Sequence, residues 1–432
     1  MSKRTQRRRT AKQLPKQDMV ITKGATGLKQ YNGRVDEEWL NDLKGSRGIK
    51  AYREMADNDP TVGAGLFAAK MLIRQAKWGV IPADESEEAG RWAYFLEECM
   101  DDMDHTWHDF ISEVLSMLQY GWAYHEIVYK IRSGRTKEPE TDSKYNDGLY
   151  GWRKIPVRGQ DTLDHWEMTK SGDILGMHQL LPMGGRAYVP IEKAALFRTE
   201  TYKNNPQGRS ILRNAYKPYY FKSRIENIES IGIERDLSGI PVIRVPSEVL
   251  AGETSEAVAA RSAYEDMGKN LKNDEQAYIM LPSEVDEAGN KLYQVELLSS
   301  SGTKAINTGD VIKRYDSAIL MSIMADFLML GQGKTGSFAL SSDKTDKFIL
   351  AIGAWLESIA ATINRQIVSK LMEANGVPEE FWPRIKPGDI EKQEVKDTAT
   401  AIIDGVAAGA ITLDSGAENK LRELLGLPVT DE

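Results

Sequence analysis

Three groups of residues have types and spacing that could carry chemistry. The first is Gly331-Gln332-Gly333-Lys334-Thr335-Gly336-Ser337. Gly333-Lys334-Thr335 supplies the end of a phosphate-binding loop, in which backbone N–H groups wrap phosphate oxygens and the lysine balances their charge. That loop needs another glycine five positions before Gly333, where Leu328 stands, and it follows a strand, whereas the segment before Gly331 has helical spacing. The phosphate-loop reading fails. What remains is either a flexible connector or a loop that contacts a ligand or polymer.

The second group is Glu97, Glu98, Asp101, Asp102, Asp104, His105, His108 and Asp109. Carboxylates and imidazoles at this density could hold a divalent cation, but the spacing matches no defined metal motif, and a solvated turn between helices accounts for it. The third group is scattered. His125 reads as a packed or surface histidine, His165 and His178 fall at the ends of a predicted hairpin with no nucleophile nearby, and Cys99 has no cue for a catalytic partner. No serine has nucleophile-elbow spacing. Asp326 interrupts an apolar run, so it faces an aqueous passage or caps a neighbouring group, because a buried carboxylate needs a partner. Nothing here argues for covalent catalysis, and no metal or cofactor is expected.

The elements that position these residues come from a 432-residue chain with 56 Lys and Arg against 64 Asp and Glu, a net charge of −8. Such a length implies two or three cores of about 100–200 residues. A lone cysteine and the lack of zinc spacing fit a reducing compartment during assembly. The longest near-continuous apolar run, Ala318 to Leu330, is short of the roughly 20 residues of a membrane span, so no membrane association is expected. The cationic start lacks a following apolar stretch and does not read as a secretory signal. Residues 1–16 hold seven cations and no acid, which leaves 49 cations against 64 acids, or −15, for the rest. The arm reads as a solvated tail; it could touch nucleic acid, which the acidic body as a whole would repel.

Along the chain, Asp59-Pro60 predicts a capped helix start and the first ordered element, with Val62, Leu66, Ala69 and Ile73 on one face. A short strand over Lys77–Pro82 follows. Trp107, Phe110, Ile111, Val114, Leu115 and Leu118 mark a second helix ending near Tyr120-Gly121, and Trp122, Tyr124 and Val128 alternate as a strand. Ser133 to Asn146 reads as a loop, and His165 to His178 as a hairpin turning at Lys170-Ser171-Gly172-Asp173. A long helix is predicted over Arg209–Asp236, with Leu212, Tyr216, Tyr219, Ile225 and Ile228 as contacts. A β/α/β insert follows, with strands at 239–246, 277–282 and 293–297 around a helix from Ser255 to Asn270, and then a second long helix over Lys304–Leu330. Phe348, Ile352, Trp355, Ile359, Ile363, Ile367 and Leu371 trace the longest clean amphipathic helix, stopped by Asn375-Gly376. Phe381–Ile385 reads as a short return strand, and the Ala-rich chain after Glu391 as helical. The fold class is α+β.

This order and several local phrases resemble portal proteins of tailed bacteriophages, in particular the portal family of Mu-like phages. The phrases are Asp57-Asn58-Asp59-Pro60-Thr61-Val62 with Lys77-Trp78-Gly79-Val80-Ile81-Pro82, Tyr120 to Ile127, Gly208-Arg209-Ser210-Ile211-Leu212, Glu234 to Pro241, and Leu330-Gly331-Gln332-Gly333 leading to Gly336-Ser337-Phe338-Ala339-Leu340. They span residues 50 to about 375 in order. The resemblance implies a non-enzymatic dodecameric ring at a capsid vertex of the virion, assembled in the host cytoplasm. Double-stranded DNA would enter and leave through its channel. Implied partners are further copies of the chain, the terminase large subunit, the major capsid protein, scaffold and head-tail adaptor proteins.

It also implies a layout: a basic arm at 1–30, a mostly helical wing at 31–208, stem helices at 209–238 and 303–330, and an α/β clip at 239–302. A tunnel loop at 331–346, a tunnel helix at 347–375, a return to the wing at 376–392 and a helical crown at 393–432 complete it. Within the tunnel loop, Lys334, Lys344 and Lys347 are candidates for phosphate contact, with Gln332, Thr335, Ser337, Ser341 and Ser342 as weaker ones. The short crown and the basic arm carry none of the resembling phrases. A phage DNA-processing or nucleotide-hydrolysing enzyme, and a monomeric head-assembly adaptor, stay open as alternatives.

Overall fold

The computed structural model describes residues 24–138, 140–238, 240–272, 294–298, 307–325, 328 and 338–388, with backbone alone at 234–238, 240–242, 268–272, 294–298 and 338–346. The basic cluster of the arm, the crown, Asp326 and the strand predicted at 277–282 lie outside the described residues. The chain forms two compact units, one from residues up to Tyr216 together with those from Ser317 onward, the other from Lys217–Asp316.

The first unit opens with a small hairpin, β1 (Gln30–Tyr31) and β2 (Arg34–Val35), followed by helices α1 (Gly45–Asn58) and α2 (Pro60–Arg74). Ordered structure therefore begins before Asp59. The buried positions of α1 include only Tyr52 and Met55 as large apolar groups, too thin a stripe to stand out in sequence. Asp59 does cap α2, its carboxylate accepting from the backbone N–H of Thr61 at 2.9 Å and Val62 at 3.0 Å. Val62, Leu66, Ala69 and Ile73 are all buried, as their spacing requires.

Next come β3 (Trp78–Ile81), α3 (Glu87–Asp101), α4 (Trp107–Val114) and α5 (Ser116–Tyr120). The second predicted helix is broken at Leu115, and Gly121 ends it with φ 93°. The strands that follow are β4 (Trp122–Glu126), β5 (Val128–Ser133), β6 (Asn146–Lys154), β7 (Val157–Arg158), β8 (Leu163–Met168), β9 (Ile174–Leu180), β10 (Arg186–Pro190) and β11 (Ala194–Arg198). They form small antiparallel sheets ordered β11-β4-β7 and β10-β9-β8, with β5 and β6 as a separate hairpin.

β4 does not alternate between core and solvent. Trp122 and Tyr124 pack with Trp166, Met177 and Val189 on one face, while His125 meets the rings of Phe110 and Phe197 on the other. The strand is central and covered on both sides, so every residue from Trp122 to His125 is buried.

The second unit takes up most of α6 (Tyr216–Ser238), then β12 (Ile240–Arg244), α7 (Ser247–Ala251), α8 (Ser255–Lys272), β13 (Gln294–Leu298) and the start of α9 (Thr308–Ser322). β12 and β13 pair antiparallel, as the outer strands of the predicted insert. Within this unit α6 and α9 are held by buried Lys222 on Asp316 at 2.6 Å and by stacking of Phe221 on Tyr315. Both long helices are shorter than predicted. A 3₁₀ turn at Ile211–Arg213 precedes α6. At the far end, Met324 turns left-handed with φ 60°, and the Ala325 N–H closes α9 by donating to the Leu320 carbonyl at 2.8 Å.

The chain ends its described course with α10 (Phe338–Ile363), a π turn at Asn364–Val368, α11 (Ser369–Ala374) and β14 (Arg384–Pro387), which pairs with β3. The return strand thus closes on β3, about 300 residues earlier in the first unit. By length and composition, residues 347–374 could cross a membrane, which run length alone did not reveal. Phe348, Ile352, Leu356, Ile359 and Ile363 are buried within the first unit, so this stretch is a core helix whose apolar stripe has protein partners.

Candidate functional site

The predicted channel segment divides in three. Gln332, Lys334, Thr335 and Ser337 lie outside the described residues. Ser341, Ser342 and Lys344 stand on α10, because the helix starts at Phe338 and takes in the last part of what sequence reads as a loop. Lys347 is exposed on the same helix, next to buried Phe348. The reason is local: Phe338 to Lys347 contains neither glycine nor proline, so nothing delays the helix until 347.

What the structure specifies is how this helix is anchored. Asn364, in the π turn, donates to the Ile385 carbonyl and accepts from the Ile385 N–H, both at 2.8 Å. Gln366 accepts from the Leu196 N–H at 2.9 Å. Lys370 donates to the carbonyls of Ile191 at 2.6 Å and Ala194 at 2.7 Å, and burial pulls its pKa down to about 8 against the pull of Glu192 and Glu373. Asn375 brackets Tyr150, accepting from its N–H and donating to its carbonyl. Each clamp is a side chain satisfying an unpaired backbone group of a strand or turn. Sequence missed all four, since they join residues far apart in the chain. The opposite side, with Lys347, Leu350, Ala354, Glu357, Ser358, Ala361 and Arg365, is exposed and carries two cations against one acid.

The acidic cluster is mostly spent on structure. Asp102 and Lys130, each with a side chain only 3% exposed, pair at 3.1 Å. Asp102 also accepts from the Ser143 hydroxyl at 2.6 Å and the Lys144 N–H at 2.8 Å. Buried Arg132 pairs with Glu98 and Asp147 and stacks over Phe95 and Tyr145. Asp101 holds Lys144, and Asp104 holds Arg153. Asp109 completes a capping box with Thr106 on α4. The solvated-turn reading therefore misses the partners on β5 and in the 134–145 loop. Among the described residues, no cluster of three or more His, Cys, Asp or Glu could hold a metal ion.

The remaining candidates are accounted for by packing. His125 Nδ1 lies 2.8 Å from the Ile155 carbonyl, which requires the Nδ1–H tautomer, and burial lowers its pKa to about 4. Cys99 is buried, and its thiol is pushed up to about 12 by that burial. His165 and His178 are cross-strand partners with rings stacked at 4.2 Å. The second unit leaves apolar surface uncovered: on α6, Ile228 is 68%, Ile231 49% and Ile233 46% exposed.

An α+β body with a helix-flanked β/α insert and a long anchored helix near its end is a fold already seen in a solved structure. The chain is similar to one in the neck of an empty GTA particle computed with C6 symmetry, at TM-score 0.51 and 13% identity, covering 91% of this chain and 95% of that one. A chain in the neck of a native GTA particle computed with C12 symmetry gives TM-score 0.49 at 12% identity, over 88% and 94%. Residues 49–427 match the family of the portal protein of Mu bacteriophage, and the protein belongs to that family.

Proposed function

We propose that the protein is the portal of a tailed-phage capsid: a closed ring of identical copies through which double-stranded DNA is packaged and ejected. The ring is a structural component of the virion, built in the host cytoplasm, and a separate terminase supplies the energy of packaging. The observation that carries this reading, given the family, is the exposure of Ile228 and Ile231, one turn apart on one face of α6, with Ile233 exposed on another face of the same helix. Three β-branched residues open to water within two turns of one helix call for a protein partner, and in a cyclic assembly the neighbouring copies supply it.

The clip at 239–302 is the docking surface for terminase and then for head-tail adaptors, and the rest of the ring meets capsid protein and scaffold. Residues 331–346 and Lys347 lie along the DNA path. Passage requires weak, sequence-independent phosphate contact, and an acidic body with a few lysines suits sliding better than gripping. Lys334→Glu tests this part. DNA packaging or retention should fall while the assembled mass is unchanged; loss of assembly would assign the segment a structural role instead. Changes on the clip surface should abolish terminase or adaptor binding, and unaltered binding would move that docking site elsewhere.

A further inference from the structure

A half-open cavity of 330 Å³ in the first unit is used by neither the fold nor the portal reading. Its size is within the range of small-ligand clefts, about 300–1,000 Å³. One wall is α1, which contributes Gly45, Gly48 and Tyr52, and the facing wall comes from the stretch between Glu200 and Arg213. Trp39 and Tyr202 also line it, and they are 77% and 65% exposed. Two large rings left open beside one cavity are surface that a flat ligand can cover.

Most of the charge around this cavity is already matched. Glu38 takes two bonds from Arg213, Glu37 holds Lys203 at 3.2 Å, and Asp36 holds Lys44 at 2.8 Å. Three sets of donors are not matched. Tyr52 is only 7% exposed, yet its hydroxyl has no hydrogen-bond partner among the described residues. Burial pushes its pKa well up, with Glu38 adding to the shift and Arg213 and Arg209 opposing it, so the oxygen keeps its proton in the field of side chains that line the cavity. Arg209 is exposed, donates to Asn214 at 3.0 Å and pairs with no carboxylate among the described residues. The third set is the start of α1, which has neither a side-chain cap nor an acid in its first turn, and a Cβ at Gly45 would meet nothing within 4 Å. Glu200, exposed, is the one lining acid with no basic partner among the described residues; it offsets Arg209 in charge, so the open donors rather than net charge select the guest.

We infer that this cavity is a binding site for an oxyanion carried on a flat ring, with nucleoside monophosphates as the chemical class: Tyr52, Arg209 and the start of α1 hold the phosphate, and Trp39 and Tyr202 cover the base. An oxyanion accepts donors from several directions and gains from a helix N-terminus, which is what the polar side offers. A neutral ring alone would leave Tyr52 and Arg209 unmatched, and a bare phosphate would leave both aromatic rings uncovered. Every lining residue belongs to the first unit, so the inference stands whether or not the chain forms a ring.

The test is titration calorimetry on the full-length protein with AMP, adenosine and inorganic phosphate as probes. AMP should bind one site per chain with Kd below about 1 mM, adenosine should bind at least about tenfold more weakly, and phosphate should compete with AMP. Tyr52→Phe, which removes one oxygen and keeps the ring, and Arg209→Gln, at an exposed position, should each weaken AMP about tenfold with near-ultraviolet circular dichroism unchanged. Trp39→Ala should weaken AMP and leave the affinity for phosphate as it was. No saturable AMP binding up to about 10 mM, equal affinity for AMP and adenosine, or an affinity untouched by both Tyr52→Phe and Arg209→Gln would each overturn the site. So would a fall in assembled mass in those two variants without AMP binding, which would assign the open donors to a carboxylate of a second copy.

Discussion

At the scale of single residues, buried charge and buried imidazole set the predictions. His125 is held neutral, with a pKa of about 4 against 6.5 when free. The unfolded chain therefore binds the extra proton first, so the stability tied to this residue is complete above about pH 6.5 and is lost as pH falls toward 4. The shift corresponds to about 3 kcal/mol. Denaturant midpoints measured between about pH 4.5 and 7 should fall steeply on the acid side, and His125→Asn should flatten that slope whatever its absolute cost. Lys130→Met leaves Asp102 buried without its countercharge and should cost about 3–5 kcal/mol in urea unfolding followed by tryptophan fluorescence. A cost under about 1 kcal/mol would mean that Ser143 and the Lys144 N–H satisfy Asp102 unaided. Little of this was legible beforehand. A sequence lists Asp102 and Lys130 as two charges 28 positions apart, and only the β5–β6 hairpin and its 134–145 loop bring them together.

At the scale of elements, the reading succeeded where local chemistry decides. Asp59-Pro60, Tyr120-Gly121 and Asn375-Gly376 all mark real helix boundaries because caps and left-handed glycines act within one turn. It failed where tertiary context decides: β4 is buried on both faces, and α9 stops at Ser322 on a non-glycine turn. Asp59→Ala should cost about 1 kcal/mol, read as a modest fall in thermal midpoint. Gly121→Ala should cost more, because φ is 93° and the added Cβ would sit 2.6 Å from the Gln207 carbonyl and 2.8 Å from the Ser210 nitrogen. That substitution should lower the midpoint beyond Asp59→Ala, and an equal or smaller effect would show that the 207–210 turn yields easily.

At the scale of the whole molecule, order carried more than any single motif. Phrases such as Asp59-Pro60-Thr61-Val62 and Gly208-Arg209-Ser210 are uninformative alone, yet their succession pointed to the family that matches residues 49–427. The net charge of −8 argues for neither side until it is divided, seven cations at 1–16 against −15 over the remainder. An acidic body is compatible with DNA that passes without adhering. The exposed isoleucines of α6 are where the proposed ring is tested at this scale. Ile228→Asp with Ile231→Asp should lower the assembled mass while the single chain keeps its circular dichroism.

The most direct test of the central claim is the mass of the purified native chain together with its negative-stain image. Closed annular particles with a central hole, at a mass many times 48.4 kDa, are predicted. A compact particle at the mass of one chain, under conditions where it is folded, would contradict the portal reading.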